Sequence, residues 1–249
     1  MMSLNRMGLG TVVAKQLQYK IKAYYGVFSS LVLVQVIALL LSVGGSVFSG
    51  TTIYGLSLDY TTYMTTNVIA FTILWIFIHA IIMTTKTERE NSFSFVSNQL
   101  SNNISNCTFL IVASIAGGIT AILSGYLLRV IVYFFIDIDL LIGTEFYYPP
   151  GEVFQGIVAM ICYLILIGSV GYLLGVITQL HRMLPVLLPF VLAGILIALE
   201  RIFPGSFMAI GEYYFQETNV FPFLFKFIGS AVICFAVAIL ISSRLEVRK

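Results

Sequence analysis

Two histidines, His79 and His181, three cysteines, Cys107, Cys162 and Cys234, and a scatter of serines are the side chains here that could carry reactions near neutral pH. A serine nucleophile needs a general base within reach and donors for the oxyanion. Ser46 and Ser124 each have an adjacent glycine, but no histidine falls at the same depth in a later apolar run. His79 has neither cysteine nor carboxylate four residues away on either side. The cysteines lie far apart in apolar runs, with neither metal-ligand spacing nor an even count for a disulfide framework, and read as small apolar side chains. A phosphate-cradling G-x-x-x-x-G-K-[ST] loop needs glycines ahead of a Lys-Ser/Thr pair. The one such pair, Lys86-Thr87, follows "AIIMTT", which holds none. The residues therefore predict no enzyme, no catalytic residue, and no cofactor or metal in this chain. Any ATP and Mg that serve it must sit on another polypeptide.

The elements that would position such groups are apolar. Hydrophobic residues make up 59% of the 249-residue chain and charged ones 10%, and the mean hydropathy is +1.00. A soluble domain carries about 25% charged residues, so this chain could not clothe itself in a polar surface. The composition predicts an integral membrane protein, and the net charge of +2 implies no nucleic acid. The N-terminus shows no short apolar core followed by a small-residue cleavage site, so no removable signal peptide is expected.

A membrane helix needs about 20 apolar residues. Six stretches qualify, at about 24–47, 67–84, 107–128, 153–180, 183–199 and 227–243. The fifth lies between Arg182 and Glu200, an uncharged run that spans only about 26 Å at 1.5 Å per residue. Composition leaves open whether Arg129 ends the third span or sits within it, since 130–136 is apolar again. Arg6, Lys15, Lys20, Lys22, Lys86, Arg89, Arg182, Arg244, Arg248 and Lys249 fall on one side of these spans. Asp59, Asp137, Asp139, Glu145, Glu152, Glu200, Glu212 and Glu217 fall on the other. Basic residues mark the cytoplasmic side, so both termini are expected there, in a cell (plasma) membrane.

Ahead of the first span, Val13, Leu17, Ile21 and Tyr24 recur at helical spacing opposite Lys15, Gln18 and Lys22. This predicts an amphipathic helix in the cytoplasmic interface. Lys20 intrudes on its apolar face and would have to snorkel. Gly118, Ala121 and Gly125 in the third span, and Gly171-x-x-x-Gly175 in the fourth, are small residues that allow close helix packing. No span has an acid at its centre, which disfavours proton- or sodium-driven transport. The segment 200–226, with Pro204, Gly205 and Gly211 as breakers and Phe207, Met208, Tyr213, Tyr214 and Phe215 as an interfacial belt, is too polar to span. It is expected to be extracellular or re-entrant.

Between the second and third spans, "TERENSFSFVSNQLSNNISNCTFLIVASIAGGITAIL" (87–123) opens with a charged turn, Glu88, Arg89 and Glu90, then an aromatic edge, Phe93, Phe95, Val96 and Leu100. Charge followed by aromatics on the cytoplasmic side suits contact with a partner protein. This arrangement, with the layout of the whole chain, resembles the permease subunits of ABC exporters of the ABC-type-2 family. Many members carry a proline and a basic residue before the third span, where this chain has Asn102, Asn103 and Asn106. The resemblance implies an all-α polytopic fold in one transmembrane domain over 1–249. It has six spans, an interfacial helix over 1–23 and a short coupling helix within 85–103. It further implies a cytoplasmic ABC ATPase that docks on Glu88, Arg89, Glu90, Phe93, Phe95 and Val96, and a second permease subunit, identical or different. The implied function is export from a bacterial cell of an amphipathic or lipid-like substrate such as a peptide, antibiotic or lipid precursor. The alternative is a non-transporting immunity or scaffold protein.

Overall fold

A computed structural model of the chain describes residues 9–44, 47–53, 56–62, 65–85, 88, 99–135, 149–179, 184–215 and 219–246. It is almost entirely helical. Helix α1 spans Leu9–Ala23, α2 Tyr25–Gly44, α3 Thr66–Ile82, α4 Gln99–Phe135, α5 Pro150–Thr178, α6 Leu184–Ile202, α7 Ser206–Phe215 and α8 Val220–Glu246. Among the described residues, four stretches are long and apolar enough to cross a membrane: Tyr25–Val43, Leu100–Phe135, Pro150–Thr178 and Val220–Ser243. Thr66–Ile82 is a shorter apolar helix. These long apolar helices mark the chain as a membrane protein, and their exposed sides carry residues suited to lipid, such as Val32, Leu33, Val36 and Leu40 on α2 and Val232, Ile233 and Leu240 on α8.

Three expectations are corrected. The chain is not wholly α: β1 (Val47–Ile53) and β2 (Leu56–Thr62) pair antiparallel, with Val47 opposite Thr62, Gly50 opposite Asp59 and Ile53 opposite Leu56. The first apolar helix accordingly stops at Gly44, and the Thr-rich, β-branched residues after it suit a pleated ribbon. Second, the helix expected over 107–128 is 37 residues long. At 1.5 Å per residue it measures about 55 Å, well beyond a hydrocarbon core of about 30 Å. Arg129 therefore lies inside a helix that continues to Phe135. Third, Lys20 does not snorkel; its side chain is buried.

The chain forms two compact units, one of residues 1–20, 77–111 and 165–249, the other of 21–76 and 112–164. In the second, Leu31, Ala38, Val68, Trp75, Ala121 and Leu164 are buried. Polar groups are buried with them. Gln35 Nε2 donates to Thr72 Oγ1 at 3.3 Å and to Thr120 Oγ1 at 3.0 Å, so one amide ties α2, α3 and α4 together. Trp75 Nε1 donates to Ser30 Oγ at 2.9 Å. In lipid the outside is as apolar as any core, so interhelical hydrogen bonds and small residues select the packing. In the first unit the buried apolar side chains include Ala80, Met83, Phe109, Leu110, Tyr172, Val176, Phe227, Ala231 and Ala238. The ring of Tyr172 lies 6.0 Å from that of Phe235, which brings α8 onto α5.

The segment after α6 is a tight corner. Gly205 adopts φ 88°, a left-handed conformation that disfavours any side chain. Its N–H donates to Glu200 Oε1 and the Ser206 hydroxyl to Glu200 Oε2, each at 2.9 Å. Lys226 sits 3.9 Å from the centroid of the Tyr213 ring and donates to the Tyr213 carbonyl at 3.3 Å, holding α7 to the start of α8.

Candidate functional site

The polar run that opens α4 is the densest chemical feature of the first unit. Ser101, Asn102, Ser105 and Asn106 follow helical spacing, so they share one face, and all are buried. Lys20 Nζ donates to Asn102 Oδ1 at 2.8 Å and also to Asn106 Oδ1. The Tyr172 hydroxyl donates to Asn103 Oδ1 at 3.1 Å, and Asn106 Nδ2 reaches Tyr172 Oη at 3.5 Å. Ser101 Oγ donates to Gln16 Oε1 at 2.8 Å. Three helices, α1, α4 and α5, thus meet on one polar cluster. Two asparagine oxygens replace part of the ammonium's lost hydration. The Ser105 hydroxyl, wholly buried, has no hydrogen-bond partner among the described residues.

Burial lowers the Lys20 pKa from 10.5 to about 8, against the pull of the Glu88 carboxylate, which raises it. A lysine with a depressed native pKa binds fewer protons than its unfolded counterpart between the two values. The cost of the buried charge is then complete below about pH 8 and relieved as pH rises toward 10.5. Wild type should gain stability over that window relative to Lys20→Met. Thermal unfolding in detergent at stepped pH checks this, and parallel curves for the two proteins would refute it.

Of the residues expected at a coupling site, Glu88 is described and acts on Lys20. Arg89, Glu90, Phe93, Phe95 and Val96 lie outside the described residues. The small residues are placed within each unit. A side chain at Gly175 would overlap Thr84 Oγ1 and lie 3.1 Å from Ile81 Cα, and one at Gly171 would lie 2.9 Å from the Phe77 carbonyl and 3.1 Å from Ala80 Cβ. Both therefore seat α5 against α3 of the same chain. Gln179 also donates to the Thr84 carbonyl. In the second unit a Cβ at Gly118 would meet Ile161 Cγ1 at 2.7 Å, whereas at Gly125 it would meet Thr65 at an ordinary 3.4 Å. Ala121 is fully buried.

The second unit holds a cavity of about 320 Å³, lined by Thr65, Ile69, Ala121, Ile122, Gly125, Tyr126, Arg129, Glu152, Val153 and Gly156. The Arg129 guanidinium lies 5.6 Å from the Tyr126 ring centroid, within cation–π range. Among the described residues no group of three or more His, Cys, Asp or Glu could hold a metal ion.

Comparison with protein-family models, with curated proteins and with solved structures finds no match to the chain. The lysine–asparagine cluster was missed in the sequence, though two signals were present. One was a lysine on the apolar face of an amphipathic helix; the other was three asparagines on the first two turns of an apolar one.

Proposed function

We propose that this chain is the membrane-spanning permease subunit of an ATP-driven exporter of the ABC-type-2 kind. It has six spans and both termini in the cytoplasm, and it moves an amphipathic or lipid-like substrate. A separate ATPase, carrying ATP and Mg, docks on the segment 85–103 through Glu88, Arg89, Glu90, Phe93, Phe95 and Val96, and a second permease subunit completes the pathway. The observation that carries this reading is the buried Lys20–Asn102–Asn106 contact. It fixes the N-terminal helix to the first turns of α4, immediately after the charged, aromatic segment. A displacement of that segment would be handed to a helix about 55 Å long rather than lost in a loose joint. The absence of any glycine ahead of Lys86-Thr87 is consistent with nucleotide binding on a partner.

Affinity-purified complex from native membranes tests the proposal. A vanadate-sensitive ATPase should co-purify, and its hydrolysis should be stimulated by substrate in reconstituted vesicles. Phe93→Ala or Phe95→Ala should abolish stimulation while leaving insertion intact, because truncating a packed interface aromatic costs about 2 kcal/mol or more. Glu88→Ala should do less. A chain that purifies without ATPase activity would favour an immunity or scaffold role instead.

Topology gives an independent check. Cysteines placed at Asp59, Glu145 and Glu212 should react with an impermeant maleimide added to intact cells. Protection of positions 145 and 212 together would overturn the six-span arrangement.

A further inference from the structure

The cavity of the second unit joins two opposite charges to an apolar wall at one end of three helices. Thr65 precedes α3, Glu152 lies in the first turn of α5, and Arg129 is six residues from the end of α4, about 9 Å along the axis. In a helix that crosses a bilayer, a charge this near the end suits the polar headgroup layers, which add some 5–8 Å on each side of the hydrocarbon core. Ile69, Ile122 and Val153 give the cavity an apolar side, and Gly125 and Gly156 leave it room. Its volume of about 320 Å³ equals the bulk of about ten waters and reaches the lower range of small-molecule sites.

We propose that this cavity binds the head of a zwitterionic amphiphile, an oxyanion against Arg129 and a primary ammonium against Glu152, with the first part of an acyl chain on the isoleucine and valine wall. A guanidinium is suited to a phosphate or carboxylate by its forked donors. A carboxylate accepts from the three N–H groups of an ammonium and gains no hydrogen bond from a quaternary one. The charge pair thus selects against purely anionic heads, which Glu152 repels, and against trimethylated heads. The proposal requires only the bilayer and stands apart from any coupling to an ATPase. A resident lipid and a transported cargo would offer the same chemistry.

The test uses delipidated protein in detergent titrated with dioctanoyl phosphatidylethanolamine, phosphatidylcholine and phosphatidylglycerol, read as the shift in thermal unfolding midpoint. Phosphatidylethanolamine should give a saturable rise at roughly tenfold lower concentration than the other two, the weight of one good charge-assisted hydrogen bond. Glu152→Gln should bring it level with phosphatidylcholine, and Arg129→Gln should weaken all three. Because either variant could disturb a helix end, Gly156→Leu supplies a second arm. A Cβ there has its nearest neighbour at 4.0 Å, Ile122 Cδ1, so the added side chain has room to begin and extends into the cavity while leaving both charged residues in the sequence. It should keep the basal midpoint and lose the lipid shift. Equal shifts from all three lipids in wild type, or an undiminished phosphatidylethanolamine shift in Gly156→Leu, would overturn the proposal. Resident lipid and cargo are separated by vesicles with phosphatidylethanolamine labelled in one leaflet. ATP-dependent movement of the label, blocked in Gly156→Leu, identifies cargo, and tight binding without movement identifies a resident lipid.

Discussion

Asn106→Leu should destabilise the protein by about 2–3 kcal/mol, because it strips a hydrogen bond from a buried ammonium that then keeps, among the described residues, the Asn102 oxygen as its acceptor. The contact to Tyr172, at 3.5 Å, adds little. Lys20→Met should cost less, about 1 kcal/mol. It orphans two amide oxygens but removes the desolvated charge and keeps the packing of the stem. The double variant Lys20→Met/Asn106→Leu should be more stable than Asn106→Leu alone, since the charge that lacked a partner is gone. Such a cycle isolates the interaction only where neither single change repacks the site, so Asn103→Leu, on the Tyr172 side of the cluster, serves as the comparison. Unfolding midpoints in one detergent provide all four values. Strict additivity of Lys20→Met and Asn106→Leu would remove the claim that the contact is energetically coupled.

Gly175→Leu is expected to have the largest effect of any single change considered, a loss of about 3 kcal/mol or failure to accumulate as folded protein. Even the first carbon of a side chain there runs into Thr84 and lies 3.1 Å from the Ile81 backbone, and backbone cannot yield as a flexible side chain can. Gly171→Leu should follow closely, with the Phe77 carbonyl at 2.9 Å from the added carbon. Gly118→Leu should be milder at its first contact, a side-chain carbon of Ile161, though the Ile161 backbone lies just behind. Gly194→Leu and Gly229→Leu are the controls, since among the described residues nothing lies within 4 Å of a Cβ at either position. Leu174→Ala should fall between these groups. Expression level and monodispersity in detergent rank the series; a Gly175 variant indistinguishable from Gly194→Leu would refute the packing argument.

Helix positions were readable where hydrophobicity alone decides them. The apolar runs at 24–47, 67–84, 153–180 and 227–243 correspond to α2, α3, α5 and α8, because in lipid a long apolar run has few choices but a helix. The glycines at 171 and 175 were readable as packing residues by type, but not by partner. Sequence spacing says that a backbone can approach, and only the fold says that Phe77–Thr84 does so. Two features were hidden for a common reason. Residues 99–106 are too polar to be read as part of a span, and Lys20 is too polar for the face it occupies. Each is tolerable only because the other satisfies it from 82 residues away, a distance that local propensity does not sense. The hairpin at 47–62 was hidden differently. Tyr54-Gly55, between the two strands in sequence, is not the Asn-Gly or Asp-Gly signal of a tight hairpin, and the strands follow an apolar run that hydrophobicity extends to Val47.

The same 82-residue separation also orders biogenesis. At a synthesis rate of about 5–20 residues per second, Lys20 leaves the ribosome ~4–16 s before Asn102 does. Throughout that interval its ammonium lacks the two asparagine oxygens that hold it in the folded chain, and α1 must wait undocked while α2 and α3 are laid down. The N-terminal helix, first to be made, is therefore among the last to take its place, and a nascent chain stalled before residue 102 should leave it open to protease.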